Sequence, residues 1–112
     1  MTTQDSHTPP DCLLTLAAPT ALEEEILDTL RALPTLVRGF TLVRAEGLGA
    51  HVELASTMEQ VQGRARRVMV QMALRQTHLD TVIAALRGAL PNPQVAYWVL
   101  PLLAFGRLGS AA

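Results

Sequence analysis

The sequence predicts an α+β domain with the element order β-α-β-β-α-β. Two observations carry this reading. Two stretches place apolar residues at helical spacing, and four short apolar segments between Gly and Pro punctuation read as strands. At 112 residues the chain fits one domain, and a 49% hydrophobic content gives it material for a packed core.

Residues 1–10 are polar with two prolines and read as a flexible N-terminal tail, leaving 11–108 as the domain. The first strand is 11–17 (DCLLTLA), identified more by its flanks than by propensity. A helix follows, with Thr20 as expected N-cap and Glu23 as its capping-box partner. Glu23, Glu24 and Glu25 lie in its first turn, where the helix dipole favours negative charge. Leu22, Ile26, Leu30 and Leu33 share one face, and Pro34 stops the helix. The second strand is 37–46 (VRGFTLVRAE).

From 47 to 63 no element is expected, and an internal loop of that length is more often functional than not. Segment 64–75 (RARRVMVQMALR) is the clearest strand, with Val68, Val70, Met72 and Leu74 in one row and Met69, Gln71 and Ala73 in the other. Thr77 is the expected cap of a second helix, with Asp80 in the capping-box place. The apolar face of that helix is Leu79, Val82, Ile83, Leu86 and Leu90, and Gly88 and Pro91 help stop it. The last strand is 94–100 (QVAYWVL). Two helices on one face of a four-stranded antiparallel sheet make a ferredoxin-like sandwich.

The other face of such a sheet should turn polar in a monomer. In the last strand Val95, Tyr97 and Val99 form one row and Ala96, Trp98 and Leu100 the other, and both are apolar. The first strand sets Cys12, Leu14 and Leu16 against Leu13, Thr15 and Ala17. An oligomer that buries the open faces against one another is therefore expected.

The formal net charge of −1 gives no reason to expect nucleic acid or an anionic membrane as partner. Segment 38–43 (RGFTLV) partly mimics an RNA-recognition pattern, but it lies in the second strand rather than the third, and Leu42 and Ala45 stand where stacking aromatics belong. Charge is unevenly placed: residues 1–60 carry a net of −6 and residues 61–112 a net of +5. All nine basic residues are arginine. Either composition or a subunit contact between acidic and basic halves accounts for this.

The single cysteine, Cys12, excludes an internal disulfide and is expected as a buried core thiol. The first ten residues lack the pattern of a secretory signal. The longest apolar run, 95–105, is too short to span a bilayer. Cytoplasmic location without membrane insertion is the expectation. No catalytic constellation is visible: Cys12 lacks a nearby His, and Ser56 and Thr57 lack a local base. The chain is not expected to be an enzyme.

Four segments, EQVQGRARR (59–67), YWVLP (97–101) followed by Gly106-Arg107, DCLLTL (11–16) and ALEE (21–24), resemble a family of PII-like (GlnB-like) proteins of unassigned function. The likeness spans roughly 11–108. It implies a homotrimer of ferredoxin-like subunits with inward-facing sheets, and a signalling or regulatory role through the loop at about 46–63. The family is associated with heavy-metal efflux systems of the resistance-nodulation-division type, so an efflux-pump or transporter component is the partner implied. Relatives in the wider family bind adenine nucleotides between subunits, using a Gly- and Lys/Arg-rich loop for the phosphates. Here that place is 88–94 (GALPNPQ), with two prolines and no basic residue beyond Arg87. Adenine nucleotide and divalent metal both stay open as ligands, the first without its phosphate loop.

Arg64, Arg66 and Arg67 sit beside the long loop. They are read either as an anion site at the subunit cleft or as intersubunit partners of Glu59 or the acids of 23–28. His51, Glu53 and Glu59 are the loop residues expected to touch a partner. His51, two residues from Glu53, is the metal-ligand candidate ahead of His7 and His78, although nothing has zinc-type Cys/His spacing. A CutA-like trimeric metal-binding accessory protein is the alternative to the regulatory reading.

Overall fold

The computed structural model describes residues 8–48, 58 and 64–109. Strand β1 (Cys12–Pro19) leads through one turn of 3₁₀ helix, Thr20–Leu22, into helix α1 (Glu23–Arg31). Strands β2 (Thr41–Gly47) and β3 (Ala65–Leu74), helix α2 (Gln76–Ala89) and strand β4 (Ala96–Pro101) complete the order. The strands form one antiparallel sheet in the order β2-β3-β1-β4, so β2 and β4 are its edges. This is the ferredoxin-like sandwich expected from the sequence.

Strand alternation sends successive side chains to opposite faces. Register places Cys12, Leu14, Leu16 and Ala18 of β1 beside Leu74, Met72, Val70 and Val68 of β3, and all eight are buried. The helices close this face with Ile26, Leu27 and Leu30 from α1, Val82 and Leu86 from α2, and Leu90 just beyond it. The thiol of Cys12 donates to the Leu74 carbonyl at 3.4 Å. Burial pushes its pKa up, as does the charge of Asp11, against that hydrogen bond.

Both expected caps are corrected. Thr20 lies inside the 3₁₀ turn, where its carbonyl accepts the Glu23 N–H; the residue at the α1 cap position is Leu22, without a side-chain cap. Glu23 bonds Arg44 of β2 instead, at 2.7 and 3.4 Å. Helix α2 starts one residue before Thr77, with Arg75 at the cap position. Its first amide, Gln76 N–H, donates to Asp11 Oδ1 at 2.7 Å. Asp11 also donates its own N–H to the Leu74 carbonyl (2.9 Å) and accepts Leu102 N–H at its carbonyl (3.0 Å). A residue more than sixty positions away thus caps the helix, because β1 and β3 bring it there.

The open face carries Leu13, Ala17, Met69, Ala73, Trp98 and Leu100, with Val43 on the β2 edge. Val43, Trp98 and Leu100 are 45%, 41% and 52% exposed. Its centre is Thr15, aligned between Gln71 and Trp98 and itself fully buried. Tyr97 belongs to the other row and leans toward α2. Among the described residues no helix is long and apolar enough to cross a membrane.

Candidate functional site

A cleft of about 230 Å³ opens where the end of α2, the turn at 91–95 and β4 converge. Leu16, Ile83, Leu86 and Leu90 make its apolar wall, and Arg87 and Tyr97 are its polar rim. The Arg87 guanidinium donates to Tyr97 Oη at 3.3 Å and lies 6.0 Å from the ring centroid. The pair is held because Arg87 occupies the last turn of α2 and Tyr97 faces it from the edge strand.

The turn below the cleft occupies the place where the resemblance puts a phosphate loop. Pro91 and Pro93 have no N–H. Asn92 N–H goes to the Leu90 carbonyl (2.7 Å), Gln94 N–H to Asn92 Oδ1 (2.8 Å) and Val95 N–H to the Asn92 carbonyl (3.0 Å). From 91 to 95 every backbone donor is either missing or spent inside the turn. A phosphate cradle needs several N–H groups converging outward, and this turn presents none.

The arginines expected as a cluster diverge. Arg64 pairs with Glu46 of the same chain at 3.1 Å, with both side chains about half exposed. Arg66 and Arg67 are adjacent on β3 and project to opposite faces. Arg66 is exposed and stands opposite Glu46 in register. Arg67 is half-buried and crosses β1, where its Nη2 donates to the carbonyls of Gln94 (2.8 Å) and Ala17 (3.4 Å). It ties β3 to the entrance of β4. Sequence reasoning missed Arg44, whose pairing with Glu23 raises its pKa, through the hydrogen bond first and the carboxylate charge second. No local signal in the sequence pairs it with Glu23, 21 positions away.

His51, Glu53 and Glu59, and with them the metal reading at His51, lie outside the described residues, as does His7. His78 is half-buried in the first turn of α2. Among the described residues no three His, Cys, Asp or Glu side chains come together as a metal site.

A four-stranded antiparallel sheet with two helices on one face and a cleft at the β4 edge defines a PII-like, ferredoxin-like fold. A crystal structure of CPII, a nitrogen regulatory PII-like protein from Thiomonas intermedia K12 bound to ADP, AMP and bicarbonate, matches with a TM-score of 0.66. That match has 19% identity over 88% of this chain and 94% of the other. A protein of Thermus thermophilus described as PII-like and signalling matches with a TM-score of 0.59, at 18% identity over 84% and 87% of the two chains. The family model of DUF3240, proteins of unknown function, matches residues 8–109, and the chain belongs to that family. A DUF3240 protein of Shewanella baltica OS155 has a similar structure, with a TM-score of 0.72 and 21% identity over 90% of this chain and 99% of the other. No curated protein matches the chain in sequence.

Proposed function

We propose that this chain is a non-enzymatic PII-like regulatory protein that works in the cytoplasm as a homotrimer. It signals through the segment at about 46–63 to a transporter component, with a heavy-metal efflux system as the target the sequence resemblance points to. One observation carries the reading: on a PII-like fold, the open sheet face presents Val43, Trp98 and Leu100 to solvent where a monomer would carry polar side chains. Covering that face with further copies removes the apolar surface from water.

An adenine nucleotide is the first ligand class to test, since a structurally similar protein holds ADP and AMP. The 91–95 turn argues against phosphates bound on its amides, so any nucleotide here must place its phosphates on side chains.

Light scattering of the full chain tests the assembly. A trimer is expected, and Trp98→Ser should shift it toward monomer. A wild-type chain that stays monomeric at all concentrations overturns the reading. Calorimetry with ADP and AMP, run beside Zn²⁺, Cu²⁺ and Ni²⁺, tests the ligand. Heat from a metal alone moves the assignment to the metal-binding alternative. Pull-down of efflux-pump components, abolished by replacing 50–60 with a Gly-Ser linker, tests the target.

A further inference from the structure

We infer that the β4 cleft of one copy is filled by the C-terminal arm of the next copy, with Leu103 and Phe105 as the inserted side chains. The inference rests on the self-association part of the proposed function and adds the contact that would link the copies head to tail.

The arm is the least covered apolar stretch among the described residues. After β4 ends at Pro101, Leu103 is 102% exposed, Leu108 109% and Phe105 44%. A leucine with its whole surface in water has no contact on its own chain, and burying such a side chain is worth about 1.5–3 kcal/mol. The arm is also anchored at its root: Leu102 N–H donates to the Asp11 carbonyl at 3.0 Å, which extends the β1–β4 pairing by one step.

The cleft is the matching half. Its walls are Leu16, Ile83, Leu86 and Leu90. At about 230 Å³ it falls below the ~300–1,000 Å³ typical of drug-sized ligand sites and suits one or two large side chains. The turn beside it offers no backbone donor to an anionic ligand.

Topology decides that the occupant comes from another copy. The cleft lies where β4 begins and α2 ends, whereas the arm leaves where β4 ends and α2 begins. Helix α2 has 14 residues and so spans about 21 Å between those ends. The arm would have to reverse along the whole strand to reach its own cleft, and the full exposure of Leu103 and Leu108 shows that they do not fill it. Donor and acceptor are therefore different patches of one surface. Such a heterologous contact closes into a ring when the rotation between copies allows it, which agrees with a cyclic trimer. Every copy also carries one arm and one cleft, so the occupant is present in equal number.

Two full-length variants test the contact. Leu103→Ser/Phe105→Ser should raise the concentration at which the assembly dissociates by about tenfold or more, with the thermal unfolding of the diluted chain unchanged. Coexpressed chains, one carrying Leu103→Cys and the other Pro93→Cys at the cleft rim, should form a disulfide between the two types on mild oxidation. Leu103→Cys chains alone should not. The native thiol does not compete, because Cys12 is buried. A double-serine variant that assembles like the wild type, or the absence of the mixed disulfide within an intact trimer, overturns the arm contact and leaves the trimer standing. A wild-type chain that never assembles overturns both.

Discussion

Leu14 and Thr15 are neighbours in β1, both fully buried, yet they face opposite sides of the sheet and are buried by different means. Leu14 sits under two helices, aligned with Met72 and Val99, in a layer of aliphatic side chains. Thr15 lies in register between Gln71 and Trp98 on the face without helices, and its hydroxyl makes no hydrogen bond among the described residues. The covered face is a finished core. The open face is a half-built one, apolar enough to exclude water from its centre but with its outer residues still wet. What differs is the second layer and not the strands: the described helices cover one face, and apolar side chains of the other stay exposed.

Three substitutions probe this contrast, in falling order of effect. Leu14→Ala should destabilise the fold by about 2–5 kcal/mol, since a large aliphatic group leaves a cavity that its packed neighbours cannot fill. Denaturant titration measures it, and a loss under about 1 kcal/mol would mean that the helix layer is loosely packed. Asp11→Ala should cost about 1 kcal/mol, the usual value of a helix N-cap, by freeing the Gln76 amide. Faster hydrogen exchange confined to the first turn of α2 would localise the effect. Thr15→Val, close in shape, should leave stability unchanged or raise it by up to about 1 kcal/mol, because it removes an unpaired buried hydroxyl. A loss instead would show that the hydroxyl finds a partner in the assembled protein.

Periodicity made the elements legible. The rows of β3 and the apolar stripes of both helices fall where the alternation of the sequence places them, because burial on one face selects residue type at every second or every third to fourth position. The caps were not legible. Thr20 and Thr77 have the right chemistry at the right local spacing, but Glu23 is drawn to Arg44 and the amide of Gln76 to Asp11, partners that only the folded sheet supplies. The placement of the arginines was hidden for the same reason. A run reading Arg-Ala-Arg-Arg looks like one basic patch, while a strand sends Arg66 and Arg67 apart, and Arg67 finds its acceptors on carbonyls of β1 and of the turn before β4. The cleft had one local signal, the prolines at 91 and 93 that deprive its turn of donors. Its apolar wall, gathered from β1 and α2, had none.

Asp11 joins, through three hydrogen bonds, parts of the molecule with separate tasks: the end of β3, the first turn of α2 and the root of the arm. The helix that begins at this junction ends at the cleft, which Leu86, Arg87 and Leu90 line. One helix, α2, thus runs from the root of the arm to the wall of the cleft. Asp11 makes the start of that run a three-way joint: its carboxylate holds the helix, its N–H holds β3 and its carbonyl holds the arm.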